Sequence, residues 1–263
     1  GYSSYLKIAE GCDKHCTYCI IPKLRGSYRS HSMDYLIKQA ESLAAQGVKE
    51  LNIVAQETTV YGTDLYNGQK MLPELLKRLC RIEGLSWIRV LYCYPEEINE
   101  ELIQVIKEEP KICHYLDLPI QHANDTILKR MGRRTSKQEL IDIVQKLRKE
   151  IPDICLRTTL ITGFPGETQE QHEEVKEDRQ ADIMELQQEI AFDKAEDMIG
   201  REVLVMIEGK VADENAYVGR TYRDAPNVDG LIFINTDVEL ISGDFAKVKV
   251  TGALDYDLIG ELM

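Results

Sequence analysis

The sequence predicts an α/β protein in which a parallel sheet with crossover helices precedes a small antiparallel β-barrel. Two observations lead to this prediction. Through the first two thirds of the 263 residues, short apolar runs alternate with amphipathic stretches, which is the pattern of repeated strand–helix–strand units. From Gly200 onward, the pattern changes to short strands separated by Gly, Asn and Asp, and this pattern is typical of a small barrel.

Five apolar runs predict the strands of the parallel sheet, because each is rich in β-branched or aromatic residues and ends at turn or charged residues. They are YLKIA (5–9), ELNIVA (50–55), WIRVLYC (87–93), HYLDLP (114–119) and ICLRTTLI (154–161). In such a sheet, ligands bind beyond the carboxyl ends of the strands. The loop EGCDKHCTYC (10–19) follows the first strand, so it is the first candidate for a site.

Four amphipathic stretches predict the helices between these strands. The first begins with Ser32 as its N-cap and ends at Gly47. The others are MLPELLKRLCRIEG (71–84), NEELIQVIKEE (99–109) and SKQELIDIVQKLRKE (136–150). A long polar stretch at 175–198 is interpreted as a connecting helix. The predicted barrel strands are EVLVMIEG (202–209), AYVGRTY (216–222), GLIFIN (230–235), FAKVKVTGALD (245–255) and DLIGEL (257–262).

Charge and hydropathy restrict the partners that we expect. The net charge is −13, from 32 basic and 45 acidic residues, so a polyanion is repelled on average and strong nucleic-acid binding is not expected. A basic protein partner fits this balance better. No apolar run approaches the roughly 20 residues of a membrane span, and we expect a cytoplasmic protein that does not bind membranes.

The seven cysteines divide into one group of three and four scattered residues. Cys12, Cys16 and Cys19 have the spacing CxxxCxxC, which suits a soft metal site of zinc or an iron–sulfur cluster. Zinc needs a fourth ligand, which His15 or His31 could supply. An iron–sulfur cubane would instead leave one iron open to a small chelating ligand, and the absence of a second ligand pair favours this alternative. Buried thiols are expected at Cys80, Cys93, Cys113 and Cys155.

This loop resembles the signature of the radical SAM superfamily, CxxxCxΦC with an aromatic residue at Φ. Cys12, Cys16, Tyr18 and Cys19 match every position. The resemblance implies a partial parallel barrel and a 4Fe–4S cluster whose open iron binds S-adenosylmethionine. It also implies an electron donor such as flavodoxin or ferredoxin, and reductive cleavage of S-adenosylmethionine to a 5′-deoxyadenosyl radical.

Further motifs resemble the methylthiotransferases of that superfamily and their C-terminal TRAM domain. They are EGCDKHCTYCIIPKLRGSYRS, VAQETTVYG, LDLPIQHANDTILKRMGRR and RTTLITGFPGET. The variants QHA and AYVGRTYRDAPNVDG resemble the branch that methylthiolates the β-carbon of an aspartate in ribosomal protein uS12. The alternatives are a tRNA adenosine methylthiotransferase and a zinc-stapled RNA-binding module without catalysis. The expected domains are a radical SAM core (1–174), the connecting helix (175–198) and the TRAM barrel (199–263).

The charge of the barrel bears on the choice between these substrates. Residues 199–263 contain six Lys or Arg and twelve Asp or Glu. A surface that docks tRNA needs cations for the phosphates, whereas an acidic surface complements a basic ribosomal protein. The sequence therefore favours uS12.

The resemblance also implies the residues that bind S-adenosylmethionine. Tyr18 is expected beside the adenine, and Gln56 and Glu57 near the methionine amino group. Gln121 and Arg157 are expected to contact the ribose and the carboxylate. Each has a structural alternative, such as ring packing for Tyr18 or turn capping for Gln56 and Glu57. The glycine-rich turn GFPGET (163–168) is a weaker signal.

Two departures from the family pattern affect the expected activity. Complete methylthiotransferases begin with a further domain that holds a second 4Fe–4S cluster, which we expect only in the full-length protein. This chain should therefore cleave S-adenosylmethionine without completing sulfur insertion. The family's sixth strand is missing between Glu174 and Val175, through a deletion or, as we favour, an unrepresented segment. His122 and His172 are expected to be surface or turn residues.

Overall fold

Two units make up the chain, Gly1–Pro165 and Gly166–Met263. The structure is a computed structural model that describes residues 1–168, 195–212, 215–254 and 256–263. Most of the predicted connecting helix and the junction between Glu174 and Val175 lie outside the described residues. No helix within the described ranges is long and apolar enough to cross a membrane.

The first unit is built on a five-stranded parallel sheet with the strand order β1-β4-β5-β6-β7. Its strands are β1 (Ser3–Lys7), β4 (Glu50–Val54), β5 (Trp87–Val90), β6 (Ile112–Asp117) and β7 (Cys155–Arg157). A two-stranded antiparallel ribbon, β2 (Ala9–Glu10) with β3 (Arg29–Ser30), flanks the cysteine-containing loop. The prediction of five parallel strands is confirmed, although β1 and β6 end two residues, β5 three residues and β7 four residues earlier than predicted.

The helices between the strands follow the predicted amphipathic stretches. They are α2 (Met33–Ala45), α3 (Leu72–Cys80), α4 (Glu100–Glu108) and α6 (Lys137–Glu150), and the short helices α1 (Ile21–Arg25) and α5 (Asp125–Arg130) were not predicted. Ser32 is the N-cap of α2 as predicted, but its side chain makes no capping hydrogen bond. Ser136 caps α6 with a complete capping box to Glu139, which satisfies two backbone donors of its first turn.

The two faces of the sheet differ in chemistry. Alternate residues such as Leu51, Ile53 and Ile88 pack with the helices in the main apolar core. The residues between them point to the opposite face, where Glu50 and Arg89 are fully buried and paired at 3.2 Å. The helix-covered face therefore forms the main apolar core, and the other face holds a buried ion pair among aromatic rings.

The second unit contains a closed five-stranded barrel with the order β10-β12-β11-β8-β9. Its strands are β8 (Glu202–Lys210), β9 (Ala216–Arg220), β10 (Ile232–Asn235), β11 (Phe245–Leu254) and β12 (Asp257–Leu262). All five follow the predicted runs closely. The pairing of β10 with β12 is parallel, unlike the predicted antiparallel arrangement, because an odd number of strands in a closed ring cannot alternate direction throughout.

Candidate metal and cofactor site

The cysteine loop, residues 11–20, begins at a glycine whose backbone only glycine adopts readily. Gly11 has a φ of 78°, and a Cβ atom there would overlap the carbonyl oxygens of Gly26 and Ser27. The Gly11 amide donates a hydrogen bond to Gln56 Oε1 at 2.9 Å. The start of the loop is therefore fixed against the carboxyl end of β4.

The three cysteines of the loop differ in exposure. Cys12 and Cys16 are buried, and Cys19 is exposed. Burial raises the pKa of the Cys12 thiol, and negative charge at Glu57, Cys16 and Cys19 raises it further. The Cys19 amide donates to the Cys16 carbonyl at 3.0 Å, which closes the second half of the loop. The loop thus presents three neighbouring thiols at one end of the sheet.

The described side chains do not form the compact site that a single metal ion needs. Within the described ranges, no group of three or more His, Cys, Asp or Glu side chains converges on one ion. The predicted zinc alternative requires such a group with His15 or His31, and the ring of His31 lies against Tyr35 at 5.4 Å. The described residues therefore supply no four-ligand zinc site.

Glu57 lies just past β4 and is buried, with a free carboxylate oxygen. Its Oε1 accepts hydrogen bonds from the amide of Thr59, at 3.0 Å, and from the Thr59 hydroxyl. Its Oε2 has no hydrogen-bond partner among the described residues. Burial raises the pKa of the Glu57 carboxyl to about 7, although the hydrogen bonds from Thr59 oppose this shift. Burial disfavours the charged form of this carboxyl, so a cationic ligand group beside Oε2 would stabilise it.

A cavity of about 270 Å³ opens beside Cys12 and Glu57. Ionic side chains line it, and the Lys70 ammonium pairs with the Glu97 carboxylate at 2.8 Å. Lys14 also pairs with Glu97. A larger groove of about 570 Å³ lies where α2 and α3 end, but it contains none of the predicted site residues. The smaller cavity is therefore the relevant one.

Tyr18 and the buried residues Tyr94 and Arg133 surround Cys16. The Tyr94 hydroxyl lies 3.5 Å from Cys16 Sγ, and the Arg133 guanidinium lies over the Tyr94 ring at 4.2 Å. Burial raises the pKa of Tyr18 far above its usual value; the neighbouring Cys16 adds to this shift and Arg133 opposes it. Sequence reasoning did not single out Tyr94 or Arg133, although Arg133 lies in the quoted segment RMGRR.

Gln121 and Arg157 lie at the carboxyl ends of β6 and β7. Gln121 is buried and has a φ of 68°, an unusual backbone conformation for a residue other than glycine. Arg157 in β7 lies opposite Asp117 of β6, with 3.8 Å between Arg157 Nη1 and Asp117 Oδ1. Both residues therefore lie at the same edge of the sheet as the cysteine loop, and their contacts with a cofactor stay a prediction.

Comparison with known proteins identifies the family. The radical SAM superfamily profile matches residues 6–178, and the TRAM domain profile matches residues 199–263. The ribosomal protein uS12 methylthiotransferase RimO of Lachnoclostridium phytofermentans is 58% identical, covering 99% of this chain and 67% of that protein. The protein of the same name from Desulfitobacterium hafniense is 44% identical, covering 99% and 66%. This chain belongs to the radical SAM methylthiotransferase family.

Solved structures agree with this methylthiotransferase fold. The radical S-adenosylmethionine methyltransferase TsrM of Kitasatospora setae, solved with cobalamin and a [4Fe-4S] cluster, superposes with a TM-score of 0.51 at 19% identity. The match covers 64% of this chain and 32% of TsrM, and at this identity it supports the fold alone. The chain spans about two thirds of the length of its curated RimO relatives.

The remaining predictions for single residues have mixed outcomes in this methylthiotransferase. Cys80, Cys93 and Cys113 are buried as predicted, and Cys155 is half-buried. His122, expected to be a surface or turn residue, is a turn residue but is not on the surface, because it is 3% exposed and its Nδ1 accepts a hydrogen bond from the Asn124 amide. It lies in the turn before α5, where the sequence gives no sign of burial. His172 lies outside the described residues.

The site fits an iron–sulfur cluster with a polar cofactor. Three thiols on one loop are the donor set for such a cluster. Buried polar atoms around them have no hydrogen-bond partner within the described ranges: Tyr18 Oη, Glu57 Oε2, Arg133 Nε and Arg133 Nη1. Because buried polar groups are nearly always paired, these atoms indicate a bound polar group.

Proposed function

We propose that this chain is the catalytic core and docking barrel of an enzyme that methylthiolates the β-carbon of an aspartate in ribosomal protein uS12. The observation that carries the proposal is the cysteine loop at the carboxyl edge of the parallel sheet, surrounded by unpaired buried polar atoms. The names of its relatives supply the substrate. Their length supports a further domain in the full-length protein, where we expect the second 4Fe–4S cluster.

Cys12, Cys16 and Cys19 are the residues that would hold the 4Fe–4S cluster. When bound, the cluster and S-adenosylmethionine supply the one-electron cleavage that yields the 5′-deoxyadenosyl radical. Cys12 and Cys16 are buried and Cys19 is exposed. An electron donor such as flavodoxin or ferredoxin would therefore approach the cluster from the Cys19 side.

Residues at the carboxyl end of the sheet would bind and orient S-adenosylmethionine, and of these Glu57 lines the cavity. The free Oε2 of Glu57 is placed to accept from an amino group, and Gln56 holds the loop through Gly11. We assign the adenine to Tyr18. Gln121 and Arg157 are assigned to the ribose and the carboxylate, because a cation such as Arg157 pairs with a carboxylate. Exclusion of water by these side chains protects a reactive radical.

Anaerobic reconstitution with iron and sulfide tests the enzyme proposal. We expect a brown protein with iron–sulfur absorption that, after reduction by dithionite, converts S-adenosylmethionine to 5′-deoxyadenosine, measured by chromatography. The chain alone should not methylthiolate a uS12 peptide. A colourless protein that binds one zinc per chain and produces no 5′-deoxyadenosine would contradict the proposal and support the zinc-stapled module.

The acidic barrel supports uS12 over tRNA as the partner. Of its six Lys and Arg residues, Arg220 is buried and pairs with Glu208, so fewer cations are available to phosphates than the sequence suggests. The carboxylates of Asp224 and Asp229 accept backbone hydrogen bonds at 2.9 and 2.8 Å. These two carboxylates stabilise a turn, so a charge-reversal variant at either position would also disturb the local fold. The exposed Glu239 is a better position for such a variant.

The binding proposal is tested with the whole chain, purified uS12 and unmodified tRNA, each at two salt concentrations. We expect salt-sensitive binding to uS12, because exposed charges are screened over about 10 Å at 0.1 M salt. Binding to tRNA should be weak. Tight binding to tRNA without binding to uS12 would move the assignment to the tRNA-modifying relatives.

A further inference from the structure

The three cysteine sulfurs have different surroundings. Cys12 receives a weak contact from the Lys14 amide at 3.4 Å and faces the Glu57 carboxyl. Cys19 is exposed. Cys16 is buried beside the Tyr94 hydroxyl. Among the described residues, Cys16 Sγ therefore has hydrogen-bond donors beside it, whereas Cys12 Sγ lies near a carboxyl group.

Arg133 is the charged member of this group. Its side chain is wholly buried. One nitrogen, Nη2, donates to the Pro119 carbonyl at 3.3 Å and lies 3.5 Å from a Glu96 carboxylate oxygen. The other two nitrogens, Nε and Nη1, have no acceptor within the described part of the chain. A buried guanidinium normally satisfies its donors, so these two N–H groups are available to a bound acceptor, with the Tyr18 hydroxyl as the nearby protein group that Arg133 also affects.

The position of Arg133 is fixed by contacts between its turn and the cysteine loop. The Thr17 hydroxyl donates to the Arg130 carbonyl at 2.9 Å, and the Thr17 amide donates to the Met131 carbonyl at 3.0 Å. At Gly132, with a φ of 74°, a Cβ atom would lie 2.9 Å from the His15 carbonyl oxygen. Close backbone contact therefore ties the arginine to the loop that holds the cluster ligands.

We propose that Arg133, held against the Tyr94 ring, is a positioning residue that supplies N–H donors to the sulfur atoms on the Cys16 side of the cluster and so stabilises its reduced form. Reduction adds negative charge to a buried group, which a nearby cation and hydrogen bonds to sulfur favour. The Tyr94 hydroxyl contributes a second, neutral donor. This inference rests on the proposed function, because it requires the three cysteines to hold a cluster.

The test is a redox titration of the reconstituted chain without S-adenosylmethionine, followed by electron paramagnetic resonance. Arg133→Gln should lower the ratio of reduced to oxidised cluster about tenfold at a fixed potential, which is a shift of the midpoint by about 59 mV to lower potential for one electron. Arg133→Lys keeps the charge and should recover most of the shift. Tyr94→Phe removes only the hydroxyl and should shift the midpoint less. The matched control is Arg130→Gln, which removes an exposed arginine from the end of α5 and should leave the midpoint within error.

The outcomes separate this inference from the proposed function. If the unmodified chain assembles no cluster, the proposed function fails. If the cluster assembles and Arg133→Gln keeps the unmodified midpoint, the inference is overturned, whatever the midpoint of Tyr94→Phe. It is also overturned if Arg133→Gln weakens only the spectral change caused by S-adenosylmethionine, since Arg133 would then bind that cofactor. If Arg133→Gln holds no cluster, the other two variants decide the question. A lowered midpoint in Tyr94→Phe together with a near-normal midpoint in Arg133→Lys supports the inference. Any other pair of values overturns it.

Discussion

Glu57 makes the stability of the metal-free first unit depend on pH. Its carboxyl is 1% exposed, and burial raises its pKa from 4.5 to about 7. Because the folded-state pKa lies above the unfolded value, the contribution to stability is complete below pH 4.5 and is lost as the pH rises through about 7. Integration of this difference gives a loss of about 2.5 kcal/mol between about pH 5 and pH 8. Glu57→Gln keeps the shape and removes the titration, so the variant should gain that much relative to the unmodified chain.

The assay is urea unfolding of the metal-free, reduced protein at several pH values. The only tryptophan, Trp87, is buried in β5, so its fluorescence reports on the first unit alone. The control is Glu41→Gln, which changes an exposed carboxylate on α2 and should leave the pH dependence intact. Parallel stability curves for Glu57→Gln and the unmodified chain from pH 5 to pH 8 would refute the reasoning, because the carboxyl would then ionise as easily in the folded state as in the unfolded state.

Three further predictions address the loop and the barrel. Alanine at any one of the three loop cysteines should abolish the iron–sulfur absorption, whereas Cys80→Ala should retain it; loss of colour in a folded Cys80→Ala protein would show that the ligands are wrongly assigned. Gly11→Ala should reduce the iron content severalfold, because its Cβ has no space, and Gly68→Ala, which has a similar φ and open space, should not; equal iron content would contradict the steric argument. Glu239→Lys with Glu261→Lys, both exposed, should slow association with uS12 and leave cleavage of S-adenosylmethionine unchanged, and an unchanged association rate would exclude these two positions from the docking surface.

Much of the fold could be predicted because the local patterns agree with the tertiary structure. The alternation of apolar runs and amphipathic stretches gave all five parallel strands, and the turn residues gave all five barrel strands. The parallel pairing of β10 with β12 was missed because strand direction within a closed ring is a property of the whole barrel, not of any segment. The short helix α5 was missed because six residues are too few to establish a helical period.

The candidate site was only partly predictable, because spacing along the chain identifies ligands within one loop but not side chains that come from other elements. The three cysteines and Tyr18 share ten residues and one signature. Tyr94 follows β5 and meets Cys16 only through the fold. Its burial depends on neighbours from several loops, which no local pattern records.

Arg133 illustrates why the burial of a side chain is not recorded in the local sequence. The segment RMGRR contains three arginines in five residues, and composition alone treats them alike. Two of them, Arg130 and Arg134, are exposed, while Arg133 is 6% exposed. The difference arises at Gly132, whose positive φ reverses the chain against the cysteine loop and turns the next side chain inward. Two arginines of one segment with opposite burial are therefore a built-in comparison: if charge near the cluster matters only through the net field at the surface, Arg130→Gln and Arg133→Gln will shift its midpoint equally, and if a buried donor at Cys16 matters, only Arg133→Gln will.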